Sequence, residues 1–165
     1  MATRKQPTAA EIAEWIEQED RRTAQIIRKH GVFLQFVGGD PSTRTASFAY
    51  TVGLFGLHHP ELLLFGTCPE CAAEVLDEVA QRIRGGEELS AGQEIEIRRG
   101  VKLTVETLPN PGQILFAANS YYRRPDEFSV PAFQLTYTDE KGRYPWDAGC
   151  MIPAWEQPRP GEFSA

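Results

Sequence analysis

Leu62, Leu63, Leu64 and Phe65 form a run with no polar residue inside it. A strand covered on one face alternates apolar and polar side chains, whereas a run without alternation is covered on both. Residues 60–65 are therefore expected to be a central strand, and the rest of the chain has to build a sheet around it.

The neighbouring segments can supply that sheet. Residues 32–37 read as one strand, closed by Gly38, Gly39, Asp40 and Pro41, and residues 47–54 as another. Ile95, Ile97, Leu103 and Val105 alternate with polar residues, so 93–98 and 101–108 are expected to form a hairpin turning near Arg99 and Gly100. A last strand at 131–138 places Phe133, Leu135 and Tyr137 on one face and Gln134 and Thr136 on the other.

Helical signals separate the strands. Over residues 8–30, Ile12, Trp15, Ile16, Thr23, Ile26 and Ile27 recur at helical spacing. Thr8 and Glu11 form a capping box at the start, and Gly31 stops the segment. This reads as an amphipathic helix lying on the core. Thr67 and Glu70 repeat the capping box, with Pro69 in the first turn. Ala72, Val75, Leu76, Val79, Ala80 and Ile83 then make an apolar stripe ended by Gly85 and Gly86. Residues 111–122 fit a short third helix. The expected class is α+β: a single domain with three helices on one side of an antiparallel or mixed sheet of about six strands, in the order αβββαββαβ. Residues 1–7 and 158–165 are expected to fray, and the proline-bearing tail from Tyr144 to pack as irregular structure near its start.

The net charge is −6 and the pI about 5.1. An acidic balance opposes nucleic-acid binding, which needs a basic face, and docking on anionic lipid. Arg98, Arg99 and Lys102, and separately Arg123 and Arg124, read as solvated faces or loop ends. No apolar run reaches membrane-spanning length, and a charged helix follows the Arg4 and Lys5 that could mimic a secretion signal. The expectation is a cytoplasmic protein with no cofactor, and with a small molecule or a protein, including a second copy of the chain, as its partner. The three cysteines are expected to be reduced thiols.

Four segments taken in order carry a resemblance: Phe48-Ala-Tyr-Thr-Val-Gly-Leu54; His59-Pro-Glu-Leu62 with Gly66; Gly85-Gly-Glu-Glu-Leu-Ser-Ala-Gly92; and Pro131-Ala-Phe-Gln-Leu135 followed by Asp139, Gly142 and Tyr144-Pro-Trp-Asp147. From about residue 21 to residue 157 the chain resembles the domain of unknown function 4262 family. The resemblance implies a small bacterial-type cytoplasmic protein and carries over no catalytic role. It also implies that Cys68 and Cys71 depart from the family pattern.

Several residues could carry chemistry. Cys68-Pro-Glu-Cys71 follows a buried strand and opens a helix, where a thiol becomes nucleophilic. The plainer reading makes the two cysteines small residues filling a first turn; no further Cys or His stands at zinc-ligand spacing. His59 and Glu61 lie two apart, so on a strand they would share a face as an acid–base pair, or His59 is a turn residue before Pro60 and Glu61 binds loop N–H groups. Tyr50 and Thr51 sit mid-strand among apolar neighbours and need hydroxyl partners if buried. Asn119, Tyr121, Tyr122 and Gln134 are further polar candidates. Trp146 and Asp147 either line a ligand site or plug a core edge and cap a turn. The chain has no phosphate-loop, dinucleotide or serine-hydrolase signature.

Two functions fit these residues. One is a binding module with a groove lined by Tyr50, Thr51, His59, Tyr121, Gln134, Trp146 and Asp147. The other is a small enzyme acting on a peptide or metabolite, with His59 as base, Glu61 orienting it and Tyr50 as proton donor. In the enzyme, His59 and Glu61 would be within hydrogen-bond reach inside a concave pocket; in the module, they would hold a loop together and the aromatics would be exposed on a surface patch.

Overall fold

In a computed structural model that describes residues 5–165, the chain runs α1 (Ala9–His30), β1 (Phe33–Val37), β2 (Phe48–Val52), β3 (Glu61–Phe65), α2 (Pro69–Arg84), β4 (Glu94–Glu96), β5 (Lys102–Thr107), α3 (Phe116–Tyr121) and β6 (Ala132–Tyr137). The six strands form one sheet in the order β1-β2-β3-β6-β5-β4. Among the described residues only the β3–β6 pairing is parallel, with Leu62 opposite Phe133; the others are antiparallel. The sheet is thus mixed and the apolar run central. The expected fraying at 1–7 lies, for residues 1–4, outside the described residues.

Every residue of β2 and β3 is buried, so both faces of the sheet need cover. On one face Leu76, Val79 and Ile83 of α2 pack over Leu62, Leu64, Leu103, Val105 and Leu135. On the other, Ala118 of α3, Ile114 and Leu115 pack over Phe48, Tyr50, Leu63 and Phe65. Helices on both faces correct the expectation of helices on one side. The same burial explains the departure of α1, which has no fully buried residue. Ile27 near its end joins the second layer, but Trp15 is 62% exposed. With both sheet faces occupied, the first half of this helix has no core to lie on.

Two local readings shift. The α2 cap falls on Cys68, whose Sγ accepts the Cys71 N–H at 3.1 Å, one residue beyond the expected Thr67. The third helix begins only at Phe116, after a 3₁₀ turn at Pro111–Gln113 in which Gly112 lies against the Asp126 carbonyl. The chain end, expected to fray at 158–165, is docked. Phe163 packs edge-on against Phe48 and Phe65, with ring centroids 5.4 and 5.2 Å away, and its carbonyl accepts from Asn110 at 2.7 Å. Phe163, two residues before the last, covers an apolar layer that the short α3 leaves open.

Candidate functional site

Glu61 is fully buried at the start of β3. Its Oε1 accepts the Gly53 and Phe55 N–H groups, each at 2.9 Å. Its Oε2 accepts the Thr51 hydroxyl at 2.6 Å and the Leu54 N–H at 3.3 Å. The Thr51 hydroxyl in turn accepts the Leu62 N–H at 2.9 Å. Burial pushes the Glu61 carboxyl up, the four donors pull it back, and the balance leaves it above its ordinary value. Three successive backbone N–H groups form an anion cradle, and the carboxylate that fills it belongs to the protein itself.

His59 closes a second clamp. Leu89 donates its N–H to Nε2 at 3.4 Å, so Nε2 is the bare nitrogen and Nδ1–H donates to the Pro60 carbonyl at 2.8 Å. The ring meets Phe133 edge-on at 5.9 Å, on the α2 face of the sheet. His59 and Glu61 do not hydrogen-bond to one another; backbone groups partner His59, and loop N–H groups together with the Thr51 hydroxyl partner Glu61.

Tyr50 and Tyr121 belong to the same apolar layer, Tyr50 from β2 and Tyr121 as the last residue of α3. The Tyr50 hydroxyl accepts the Ala117 N–H at 2.9 Å, and burial pushes it up to about 12 against the pull of that donor. Tyr122 sits edge-on to Phe55 and accepts the Gly56 N–H at 3.2 Å, tying α3 to the cradle loop. Asn119 spans Ser129 and the Val130 N–H ahead of β6.

The remaining candidates lie elsewhere. Gln134 donates to the Pro158 carbonyl at 2.7 Å, which straps the tail across β6, while its Oε1 and the Thr136 hydroxyl are buried without a partner among the described residues. Trp146 is 51% exposed, stacked on Tyr144 at 4.6 Å with the Arg159 guanidinium 4.6 Å over its ring. Asp147 accepts the Tyr144 N–H at 2.8 Å and caps a turn. The structure therefore distributes the expected groove over separate places: Tyr50 and Tyr121 in the α3 layer, His59 on the α2 face, and Trp146 on the tail.

Cys68 and Cys71 are joined as a disulfide, which overturns the expectation of reduced thiols throughout. One helical turn brings their Cα atoms to 5.2 Å, inside bridging range. Cys150 is free and half-buried. No group of three or more His, Cys, Asp or Glu among the described residues could hold a metal ion. Among the described residues, no helix is long and apolar enough to cross a membrane. Of the basic clusters, Arg99 pairs with Glu74 and Arg123 with Asp20.

Sequence reasoning missed an open cleft of about 960 Å³ between the Pro111–Gln113 turn, α3, the turn at Asp126–Phe128 and the last residues. Phe116 and Phe128 line it, 47% and 69% exposed, together with Arg124, whose Nε donates to the Phe128 carbonyl. The signal was a lone aromatic, Phe128, in the polar stretch 123–129.

Fold and site together define a small α+β domain in which buried polar side chains clamp loops onto a mixed sheet. The chain belongs to the family described as Domain of unknown function (DUF4262), whose model matches residues 26–151. No curated protein and no solved structure matches the chain.

Proposed function

We propose that this domain is a binding module whose occupant sits in the cleft between α3 and the end of the chain. One contrast carries the reading. The groups suited to acid–base chemistry have their polar atoms committed to backbone groups and, for Glu61, also to the Thr51 hydroxyl, whereas the cleft leaves two aromatic rings and a guanidinium accessible. Its volume suits a small ligand or a short peptide segment. Phe116 and Phe128 would take an apolar group, and the free N–H groups of Arg124 a carboxylate. Asp126 and Glu127 on the rim favour an occupant that also carries a cation.

The test is a chemical-shift titration with short peptides and amino-acid-like metabolites. Perturbations should cluster at residues 109–129 and vanish in Arg124→Ala and Phe128→Ala. Binding that maps elsewhere, or turnover that His59→Ala abolishes, would sink the reading in favour of the enzyme. A second surface fits a protein partner: Ile12 and Trp15 leave the apolar stripe of α1 uncovered. A second copy packed there gives a homodimer that Trp15→Asp converts to a monomer in sedimentation. A wild-type chain that is monomeric at high micromolar concentration removes that surface from the reading.

A further inference from the structure

We propose that Cys68 and Cys71 form a reversible dithiol–disulfide pair that exchanges two electrons with thiol compounds at the N-terminus of α2, with Cys68 as the sulfur that bonds to the partner. The placement is the first support. Cys68 is the N-cap of a helix of 16 residues, and Pro69 and Glu70 complete the first turn. Its Sγ already accepts the Cys71 N–H, so the charge left on this sulfur by reduction would find a donor and the positive end of the helix in place. Cys71 lies within the helix, where its sulfur has no such backbone donor.

Access is the second. Both cysteines are exposed, whereas a bridge that serves to hold a core together is ordinarily enclosed. The bridge also closes a loop of only three residues' separation, the length at which cross-linking restrains the unfolded chain least. Stability alone gives little reason for a bond here. The third is surroundings. Ser47 donates to the Thr67 carbonyl, and a cleft of about 250 Å³ lined by Pro41, Ser47, Gly66 and Trp155, though by neither cysteine, comes within two residues of Cys68 along the chain.

The exchange balances. A partner thiolate attacks the Cys68 Sγ; the Cys68–Cys71 bond breaks, and Cys71 leaves as a thiolate that takes up a proton. The partner's second thiolate then attacks its own sulfur in the mixed disulfide and releases Cys68. The partner dithiol loses two electrons and two protons, and the cysteine pair gains them. A partner disulfide runs the same steps backwards.

The full chain carrying Cys150→Ser tests this with glutathione as the probe. Equilibrated across mixtures of reduced and oxidised glutathione and acid-quenched, it should populate both states while it stays folded by circular dichroism. With Cys71→Ser added, oxidised glutathione should leave an adduct on Cys68. With Cys68→Ser instead, the adduct on Cys71 should form on the order of tenfold more slowly at pH 7. A bond that resists excess reduced glutathione, or opens only with unfolding, makes it a structural clasp and overturns the proposal. Equal adduct rates overturn the assignment of Cys68.

Discussion

His59 and Leu89 are joined across 30 residues of sequence by the N–H of Leu89 donating to Nε2, and this contact fixes the loop after α2 to the turn before β3. A side chain that accepts a buried backbone donor is worth more for what its removal leaves unpaired than for the bond itself. His59→Ala should therefore destabilise the fold by about 1–3 kcal/mol in urea denaturation. It should also raise the exchange rate of the Leu89 amide beyond what global unfolding accounts for. An unchanged Leu89 amide would mean that the loop is held by other contacts.

Glu61→Gln is close in shape and opposite in hydrogen-bond sense. Both carboxylate oxygens accept, and each faces two donors. An amide turns one pair of acceptor sites toward donors with its own N–H groups. The loss should be about 3 kcal/mol, the scale of a buried charged group separated from its partners. Glu61→Asp should cost comparably, because the shorter arm falls short of the Gly53 and Phe55 N–H groups. Denaturation midpoints within the error of wild type would show that the cradle relaxes around a neutral residue.

What could be read from the sequence was local, and what could not was assembled from afar. The run Leu62–Phe65 announced a central strand because both its faces had to be dry, and Thr8 and Glu11 announced a helix start because their partners lie within one turn. The hairpin of β4 and β5 followed from alternation. The parallel pairing of β3 with β6 is decided by contacts some 70 residues apart, for which no local pattern exists. Among the site candidates, the reading of Glu61 as a binder of loop N–H groups was one of two open to the sequence because those donors are only six to eight residues away. The Leu89 partner of His59 and the Pro158 partner of Gln134 come from different loops. The cleft needs the last residue, Ala165, whose N–H reaches the Gln113 carbonyl at 3.0 Å.

Asp139 should make the fold acid-sensitive. Burial works to raise its carboxyl, but the N–H groups of Arg143, Met151 and Lys141 and the Arg143 guanidinium outweigh it and hold the group below the ordinary carboxylate range. The folded state then binds this proton less readily than the unfolded state does. The stabilisation is present above the ordinary value of 3.8 and is lost as pH falls through the lower folded value. Urea midpoints from pH 6 to pH 2 should show Asp139→Asn weaker than wild type at the upper end, with the gap closing below about pH 4. A gap that stays constant with pH would assign the acid sensitivity to another group.

Gly66→Ala should release the tail. Gly66 has φ +71°, and an added Cβ would collide with the Glu156 carbonyl and stand 2.8 Å from the Tyr137 hydroxyl. The backbone conformation alone costs a residue with a side chain about 1–2 kcal/mol, and β3 cannot shift to relieve the collision because Phe65 is buried beside it. The tail has to move instead. Gln157 holds it there, its amide exchanging two hydrogen bonds with the Tyr137 backbone at 2.9 and 3.0 Å, so displacing Glu156 breaks the next contact in line. Limited proteolysis should cut Gly66→Ala near residues 151–159 while wild type resists. Equal resistance would mean that Glu156 yields without undocking Gln157.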